Sequence, residues 1–266
     1  MPASSIPDLQ PHLSGGGIIH PLEHGWRLQI PAGPAGKYRL AQLDDYQNLP
    51  RQQLPHRPPW EVNLECRASG RDLPGTWGFG LWNDPFSLAL GLGGGTRRFP
   101  ALPQTAWFFF ASPSNYLSFR DDLPAQGQLA AVFRSQHLPT LLLALAAPLL
   151  PLLVVRPLGR LARRGLRRWI QEDAARLESD PRAWRQYRLV YRKDQVRFYL
   201  DQQLVLETSI SPSAPLGFVL WIDNQYAALD PQGRLGYGTL ANPEAAWIEV
   251  RNLSLEAPSA RGAGVL

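Results

Sequence analysis

Residues Trp184–Thr208 read WRQYRLVYRKDQVRFYLDQQLVLET, in which short runs of aromatic and branched apolar residues alternate with polar ones. The part from Val196 to Leu206 predicts a β-hairpin that turns at Asp201–Gln202, because two apolar runs flank a two-residue polar turn. The run Arg185–Tyr191 predicts the strand that precedes this hairpin. Short strands joined by polar turns are typical of all-β domains.

The same pattern extends along most of the chain of 266 residues, which contains 26 Pro and 23 Gly and therefore many turns. The sequence predicts one β-sandwich domain over residues 1–256 and a disordered tail over residues 257–266. Residues 1–40 predict one or two strands, and residues 44–59 predict a loop. The clear strands are Trp60–Ser69, Thr76–Asp84, Thr105–Ala111, Gln128–Arg134, Arg185–Tyr191, Gln195–Leu200, Gln203–Thr208, Leu216–Asp223 and Trp247–Leu255.

The opening stretch resembles the strand pair of laminarinase-type glycoside hydrolases in the concanavalin A-like superfamily. That family carries the pattern W-H-x-Y-x-h-x-W … h-x-F-Y-h-D-G-x-x-V, where h is apolar. Arg185, Tyr191 and Gln202 depart from the pattern, and the residues that fit it are Trp184, Tyr187, Phe198, Tyr199, Asp201 and Val205. The resemblance covers about Trp60–Glu256 outside one insertion, and it implies an all-β, concanavalin A-like sandwich, or jelly roll.

The resemblance does not extend to the catalytic acids of that family. Its catalytic strand carries three acids spaced E-x-D-x-(x)-E, whereas the corresponding strand here, Thr105–Ser112, reads TAWFFFAS and has none. A retaining glycosidase needs two carboxylates about 5 Å apart. We therefore expect a protein without glucanase activity, and the alternative is a divergent hydrolase that uses Glu65, Asp84 or Asp223 beside a tryptophan.

Two strands place a tryptophan and an aspartate on the face that points away from the core. In Thr76–Asp84 the residues Trp77, Phe79 and Leu81 share the apolar face, and in Leu216–Asp223 the residues Phe218, Leu220 and Ile222 do so. An indole ring stacks on a sugar, and a carboxylate accepts hydroxyl hydrogen bonds. These patterns predict a cleft for a carbohydrate or lipid-like ligand, formed by Trp82, Asn83, Asp84, Trp107, Trp221, Asp223, Asn224 and Gln225.

A different interpretation of these strands stays open, in which the tryptophans belong to a packed core and the aspartates only end the strands.

Cofactor and metal motifs are missing from the sequence. Its only cysteine, Cys66, excludes an intrachain disulfide and lies on the apolar side of an alternating strand, which indicates a core residue. No Cys/His set has zinc spacing, and Gly91–Arg98 does not match a phosphate-binding loop. We expect no cofactor and no metal. Met1–Gln10 lacks the basic and apolar regions of a signal peptide, so we expect a cytoplasmic protein.

Residues 138–180 form a Leu- and Arg-rich insertion that predicts helix. Its first part, Leu138–Val155, is an uncharged run of 18 residues interrupted by three prolines. The strands before and after the insertion belong to one sandwich and must lie on the same side of a membrane. The run therefore cannot be a single membrane-spanning segment. Removing the charges of six arginines from the net charge of +5 leaves the rest of the chain at −1, and those six are Arg156, Arg160, Arg163, Arg164, Arg167 and Arg168.

The segment Leu158–Ile170 has its apolar residues at helical spacing, with arginines on the opposite face. This pattern indicates a helix that lies on the inner face of an anionic membrane. The residues expected at the membrane surface are Arg160, Arg163, Arg164, Arg167, Arg168 and Trp169. Packing on the sandwich and pairing with a second subunit in a homodimer stay open. Nucleic acid is disfavoured because no exposed aromatic residues are interleaved with the arginines.

Overall fold

The computed structural model describes residues 8–85, 101–136, 147–213 and 215–257. For residues 147–150 it describes the backbone only. Its strands are β1 (Gln10–Ser14), β2 (Ile18–Leu22), β3 (Gly25–Ile30), β4 (Leu40–Asp44), β5 (Trp60–Ala68), β6 (Thr76–Trp82), β7 (Thr105–Ala111), β8 (Gly127–Ser135), β9 (Ile170–Arg176), β10 (Arg185–Tyr191), β11 (Val196–Leu200), β12 (Gln203–Thr208), β13 (Gly217–Asp223), β14 (Gln225–Leu229), β15 (Leu235–Thr239) and β16 (Ala246–Glu256).

Fourteen of these strands form two antiparallel sheets of seven strands each. Sheet A has the order β1-β4-β13-β6-β7-β8-β9, and sheet B has the order β12-β11-β10-β5-β16-β3-β2. The remaining two, β14 and β15, pair with each other as a hairpin. This arrangement confirms the predicted all-β sandwich.

The core lies between the two sheets and contains the apolar faces predicted for β6 and β13. Phe79 of sheet A contacts Tyr187 of sheet B edge to face, with ring centroids 5.1 Å apart, and Phe108 contacts Phe198 in the same way at 5.1 Å. Cys66 is a buried member of this core, where burial raises the pKa of its thiol. Alternation therefore sends every second residue of these strands outward.

The hairpin at Asp201–Gln202 is confirmed, because both residues adopt the positive φ values, 47° and 68°, that a tight two-residue turn requires.

Several strands lie where the sequence predicts loop or helix. β1 to β4 occupy the region in which we expect one or two strands, and β9 falls within the predicted insertion of residues 138–180. β1, β2 and β9 lie at or beside sheet edges, where one side of the strand is left open and little apolar alternation is needed. Ile170 is the only large apolar residue of β9.

The helical part of the insertion is accordingly shorter than predicted. A 3₁₀ segment, Ala147–Val154, is followed by the helix α1, Arg156–Trp169, which leads directly into β9 at the edge of sheet A. Among the described residues, no helix has the length and apolar character that are needed to cross a bilayer.

Candidate functional site

The outer face of sheet A carries a continuous group of aromatic side chains on β13, β6, β7 and β8. We call this group the aromatic face, and its members are Trp82, Trp107, Phe109, Phe133 and Trp221. Each of them lies on the side of its strand that alternation turns away from the core. The structure thus brings together the three tryptophans of the predicted cleft, and it adds two phenylalanines that the sequence analysis did not include.

Two glycines of β6 provide the floor on which these rings lie. Gly78 pairs with Trp221 and Phe109 on the neighbouring strands, and Gly80 pairs with Trp107. A Cβ atom at Gly78 would lie 2.9 Å from the Trp221 ring, and one at Gly80 would lie 2.7 Å from the Trp107 Cβ. Because both positions lack a side chain, the Trp107 and Trp221 rings approach to 5.5 Å between centroids.

Most side chains of the aromatic face are buried. Trp107 and Trp221 are only 8% and 7% exposed, whereas Trp82 is half-buried and stacks on Trp221 at 6.3 Å with the ring planes 5° apart. The Trp82 Nε1 atom donates to the Tyr46 hydroxyl at 2.6 Å, and the Trp221 Nε1 atom donates to Thr76 Oγ1 at 3.0 Å. Trp82 is therefore the tryptophan of this group that a ligand reaches from solvent.

The two aspartates of the predicted cleft lie at opposite ends of β6. Asp223 pairs with Thr76, which is the first residue of β6. Asp84 lies two residues beyond Trp82, which is the last residue of β6. At about 3.3 Å per residue, the intervening strand separates them by roughly 25 Å. The two aspartates are separated because β6 and β13 are antiparallel. Each strand has its aspartate at or just beyond its C-terminal end, and these ends lie at opposite edges of the sheet. Asp84 and Asp223 therefore do not share a cleft.

Glu65 is even further from a shared site. It belongs to β5 of sheet B, where Leu64 and Cys66 point into the core, so its side chain lies on the opposite outer surface of the sandwich. There it accepts hydrogen bonds from Arg251 and Asn252, which lower the pKa of its carboxyl group. A glycosidase needs two carboxylates within about 10 Å. No two of Glu65, Asp84 and Asp223 meet that requirement.

Asp223 is buried and strongly perturbed. Its Oδ1 atom accepts hydrogen bonds from Thr76 Oγ1 at 2.8 Å, from the Thr76 backbone N–H at 3.2 Å and from the Gln225 backbone N–H at 3.2 Å. Burial outweighs these bonds and raises the pKa of Asp223 to about 7. Burial, together with the Asp223 charge, also raises the pKa of Tyr38.

The two asparagines of the predicted cleft bind backbone groups. Asn83 donates to the Leu102 carbonyl and accepts from the Gln104 N–H, and its neighbour Asp84 has a left-handed φ of 48°. Asn224 is 0% exposed; its amide accepts from the Arg39 N–H and donates to the Lys37 and Leu240 carbonyls. In this structure, both amides fix the loops around sheet A.

Helix α1 is held against the sandwich by Arg163, which is 3% exposed. The guanidinium donates to the carbonyls of Ser118 and Leu229 and to Asp121 Oδ1 at 2.7 Å, and it lies 5.1 Å from the centre of the Tyr116 ring. The sequence predicts Arg163 at the membrane surface, among the arginines that meet the headgroups. The structure corrects this expectation, since a guanidinium enclosed by protein cannot reach a headgroup.

A close backbone contact fixes the same helix near its first turn. A Cβ atom at Gly159 would lie 2.3 Å from the Gly233 carbonyl oxygen, and Gly233 has a φ of 77° in the turn between β14 and β15. Gly159 and Arg163 thus define the side of α1 that faces the sandwich.

Several large apolar residues of the insertion are exposed to solvent. We call these residues the apolar strip; they are 39% to 66% exposed and comprise Leu152, Val154, Val155, Leu158, Leu161 and Trp169. The alternative in which the helix buries its apolar residues against the sandwich therefore does not apply to them. Within the described ranges, no group of three or more His, Cys, Asp or Glu side chains is arranged to hold a metal ion.

Comparisons with known proteins give structural similarities only. No protein family matches the sequence, and no curated protein sequence matches it either. Among solved structures, the chain is similar to the carbohydrate-binding module CBM66 from Bacillus subtilis, with 7% identity, a TM-score of 0.43 and coverage of 95% of this chain and 98% of that one.

Two further structures are similar to a comparable degree. The legume lectin-like domain from Entamoeba histolytica is 11% identical, with a TM-score of 0.44 and coverage of 94% of this chain and 90% of that one. LamAcat from Zobellia galactanivorans is 9% identical, with a TM-score of 0.43 and coverage of 89% and 79%. The chain spans 42% to 44% of the similar botulinum neurotoxin chains.

The raised pKa of Asp223 predicts a pH-dependent stability. Between pH 3.8 and about 7 the folded protein retains a proton that the unfolded chain has lost, so this residue's contribution to the free energy of unfolding falls as pH rises. Asp223→Asn mimics the neutral form. The free energy of unfolding of the variant, minus that of the wild type, should therefore increase as pH rises from about 5 to about 8, as measured by urea unfolding.

Glu65→Gln serves as a comparison, because the contribution of Glu65 to the free energy of unfolding changes with pH in the opposite direction. Because Arg251 and Asn252 lower the pKa of Glu65, its contribution to stability is present at neutral pH and is lost in acid. Glu65→Gln should therefore weaken the fold at about pH 8, and this effect should diminish as pH falls through the lowered pKa of Glu65. An Asp223→Asn variant whose stability relative to the wild type does not change with pH contradicts the assignment.

Proposed function

We propose that this protein is a peripheral membrane-binding β-sandwich that attaches to an anionic bilayer through the insertion. The observation that carries the proposal is the apolar strip, which is exposed beside a row of arginines on α1. Large exposed apolar patches with polar borders mark interaction sites in soluble proteins. In this interpretation the sandwich stays outside the hydrocarbon, and the insertion provides the attachment.

The orientation of α1 supports a lipid contact. Successive helical residues are rotated by about 100°, so Leu161, two positions from both Gly159 and Arg163, lies nearly opposite the side that faces the sandwich. Leu161 is 64% exposed and Trp169 is 42% exposed. Leucines enter the boundary between headgroups and acyl chains in interfacial helices, and tryptophan is favoured at that depth.

The charge of the helix favours lipid over a second copy of the chain. Apart from Arg163, the arginines of α1 are exposed, and the helix sequence RPLGRLARRGLRRW contains no acid. Each basic residue near an anionic leaflet contributes about 1 kcal/mol. A symmetric dimer through this strip would instead bring arginine rows close to each other, which is unfavourable. The anionic cytoplasmic leaflet is the surface that fits this chemistry.

A second proposal concerns a carbohydrate ligand at Trp82. The supporting observation is that this half-buried ring is held in place by Trp221 and by the Tyr46 hydroxyl, with Gln42 also 3.5 Å from that hydroxyl. A fixed indole ring with polar groups at its edge is suited to stacking on a sugar. We do not propose the divergent hydrolase, because Glu65, Asp84 and Asp223 provide no carboxylate pair.

Membrane attachment is tested by flotation with anionic vesicles. Leu161→Ser should lower the vesicle partition coefficient about tenfold or more, since burying a leucine side chain contributes about 1.5–3 kcal/mol. The substitution changes an exposed residue, so the fold should be retained. The matched control is Leu204→Ser on β12, which removes a leucine that is 50% exposed on sheet B and should leave flotation unchanged.

Equal flotation of the two leucine variants would overturn the membrane proposal. So would a wild-type chain that does not float but dimerises in sedimentation velocity, with Leu161→Ser abolishing the dimer. That result would assign the apolar strip to a second subunit.

The carbohydrate proposal is tested by calorimetric titration across a panel of neutral and acidic oligosaccharides. Trp82→Ala should abolish saturable binding, because it removes the stacking surface. Trp184→Ala changes a tryptophan that stacks on Arg67 and Arg251 of sheet B and should leave binding intact. No saturable binding by the wild type, or equal loss in both variants, counts against a ligand at Trp82.

A further inference from the structure

A small basic cavity lies between helix α1 and the turn that joins β14 to β15. Its volume is about 150 Å³, and its lining contains four arginines of the helix, one aspartate and one proline. The arginines follow the helical spacing i, i+3, i+4, i+7, so one side of the helix directs all of them toward the same space. The lining residues are Arg160, Arg163, Arg164, Arg167, Asp121 and Pro231.

The side chains that line this cavity carry more positive than negative charge. Asp121 bridges two of the arginines, at 2.7 Å from Arg163 and 3.3 Å from Arg167. Within the part of the chain that the structure describes, no carboxylate forms an ion pair with Arg160 or Arg164. Four guanidinium groups against one carboxylate leave the lining with a net charge of +3.

The cavity is also built on a rigid support. Arg163 is buried and bound to two carbonyls, and the contact between Gly159 and Gly233 fixes the distance between the helix and the turn. The arginines therefore project from a fixed backbone. Planar guanidinium groups that converge on one space provide the paired N–H donors that match phosphate oxygens.

We infer that this cavity binds a phosphate group carried either by a lipid headgroup or by a soluble phosphate ester. The exposed arginines Arg160, Arg164 and Arg167 donate to the phosphate oxygens, while Asp121 occupies part of the donor set in the free protein. Leu161 of the apolar strip precedes Arg164 by three residues, so the two are neighbours on the helix surface. A headgroup in the cavity therefore lies next to the residues that enter the bilayer.

The lipid source rests on the membrane attachment proposed above, whereas the cavity itself does not. One experiment separates the two. Binding of inorganic phosphate is measured by calorimetry, and flotation is compared for phosphatidylcholine vesicles containing phosphatidic acid or phosphatidylglycerol at matched surface potential. Phosphatidic acid presents a terminal phosphate, and phosphatidylglycerol presents a phosphodiester.

Two substitutions on the same helix provide a matched pair. Arg164→Gln changes a cavity arginine, and Arg168→Gln removes the same charge from an exposed position that does not line the cavity. Arg164→Gln should weaken phosphate binding about tenfold, since it removes charge-assisted hydrogen bonds, and Arg168→Gln should weaken it less than about twofold. Asp121→Asn should strengthen binding, because it removes the competing carboxylate.

The outcomes distinguish the phosphate-binding cavity from the proposed membrane attachment. Phosphate binding with the expected variant order, together with a preference for phosphatidic acid, supports the cavity and its lipid source. Phosphate binding without flotation supports the cavity with a soluble ester and overturns membrane attachment. Flotation without phosphate binding or headgroup preference overturns the cavity and leaves membrane attachment standing. Equal weakening by Arg164→Gln and Arg168→Gln also overturns the cavity, since it indicates diffuse attraction.

Discussion

The buried guanidinium of Arg163 determines how the insertion meets the sandwich. An arginine enclosed by protein is stable only when its donors are paired, and here two carbonyls, Asp121 and the Tyr116 ring surround it. These partners come from the segment between β7 and β8 and from the end of β14, so the helix cannot rotate about its axis without leaving a charge unpaired. The exposure of Leu161 and the convergence of Arg160 and Arg164 both follow from this constraint.

The two outer faces of the sandwich have different characters. On sheet B, buried Glu249 accepts hydrogen bonds from Arg27 and Arg67, and these guanidinium groups lie over the Trp247 and Trp184 rings. That surface is a paired network of charges and indoles. On sheet A the outer face is mostly apolar, and the two glycines of β6 allow the tryptophan rings to pack. Sheet A also carries the insertion at its edge, through β9.

Alternation along β6 and β13 was enough to predict the core and its outer faces, because buried strands must turn every second residue inward. It did not give strand register, and so it could not show that Asp84 and Asp223 lie at opposite ends of β6. Helical spacing likewise identifies residues that share a side of α1 but not the side that meets the sandwich. The burial of Arg163 depends on Ser118, Asp121 and Leu229, which are distant in sequence.

The orientation of α1 is the central claim, and a nitroxide label at Leu161→Cys tests it most directly. Native Cys66 is buried, and burial raises the pKa of its thiol, so labelling is selective for the new cysteine. The label should collide freely with a water-soluble nickel reagent in solution. Anionic vesicles should then exclude the nickel reagent and increase collisions with oxygen. A label already protected from both reagents in the absence of vesicles would show that Leu161 faces the sandwich and would contradict the account.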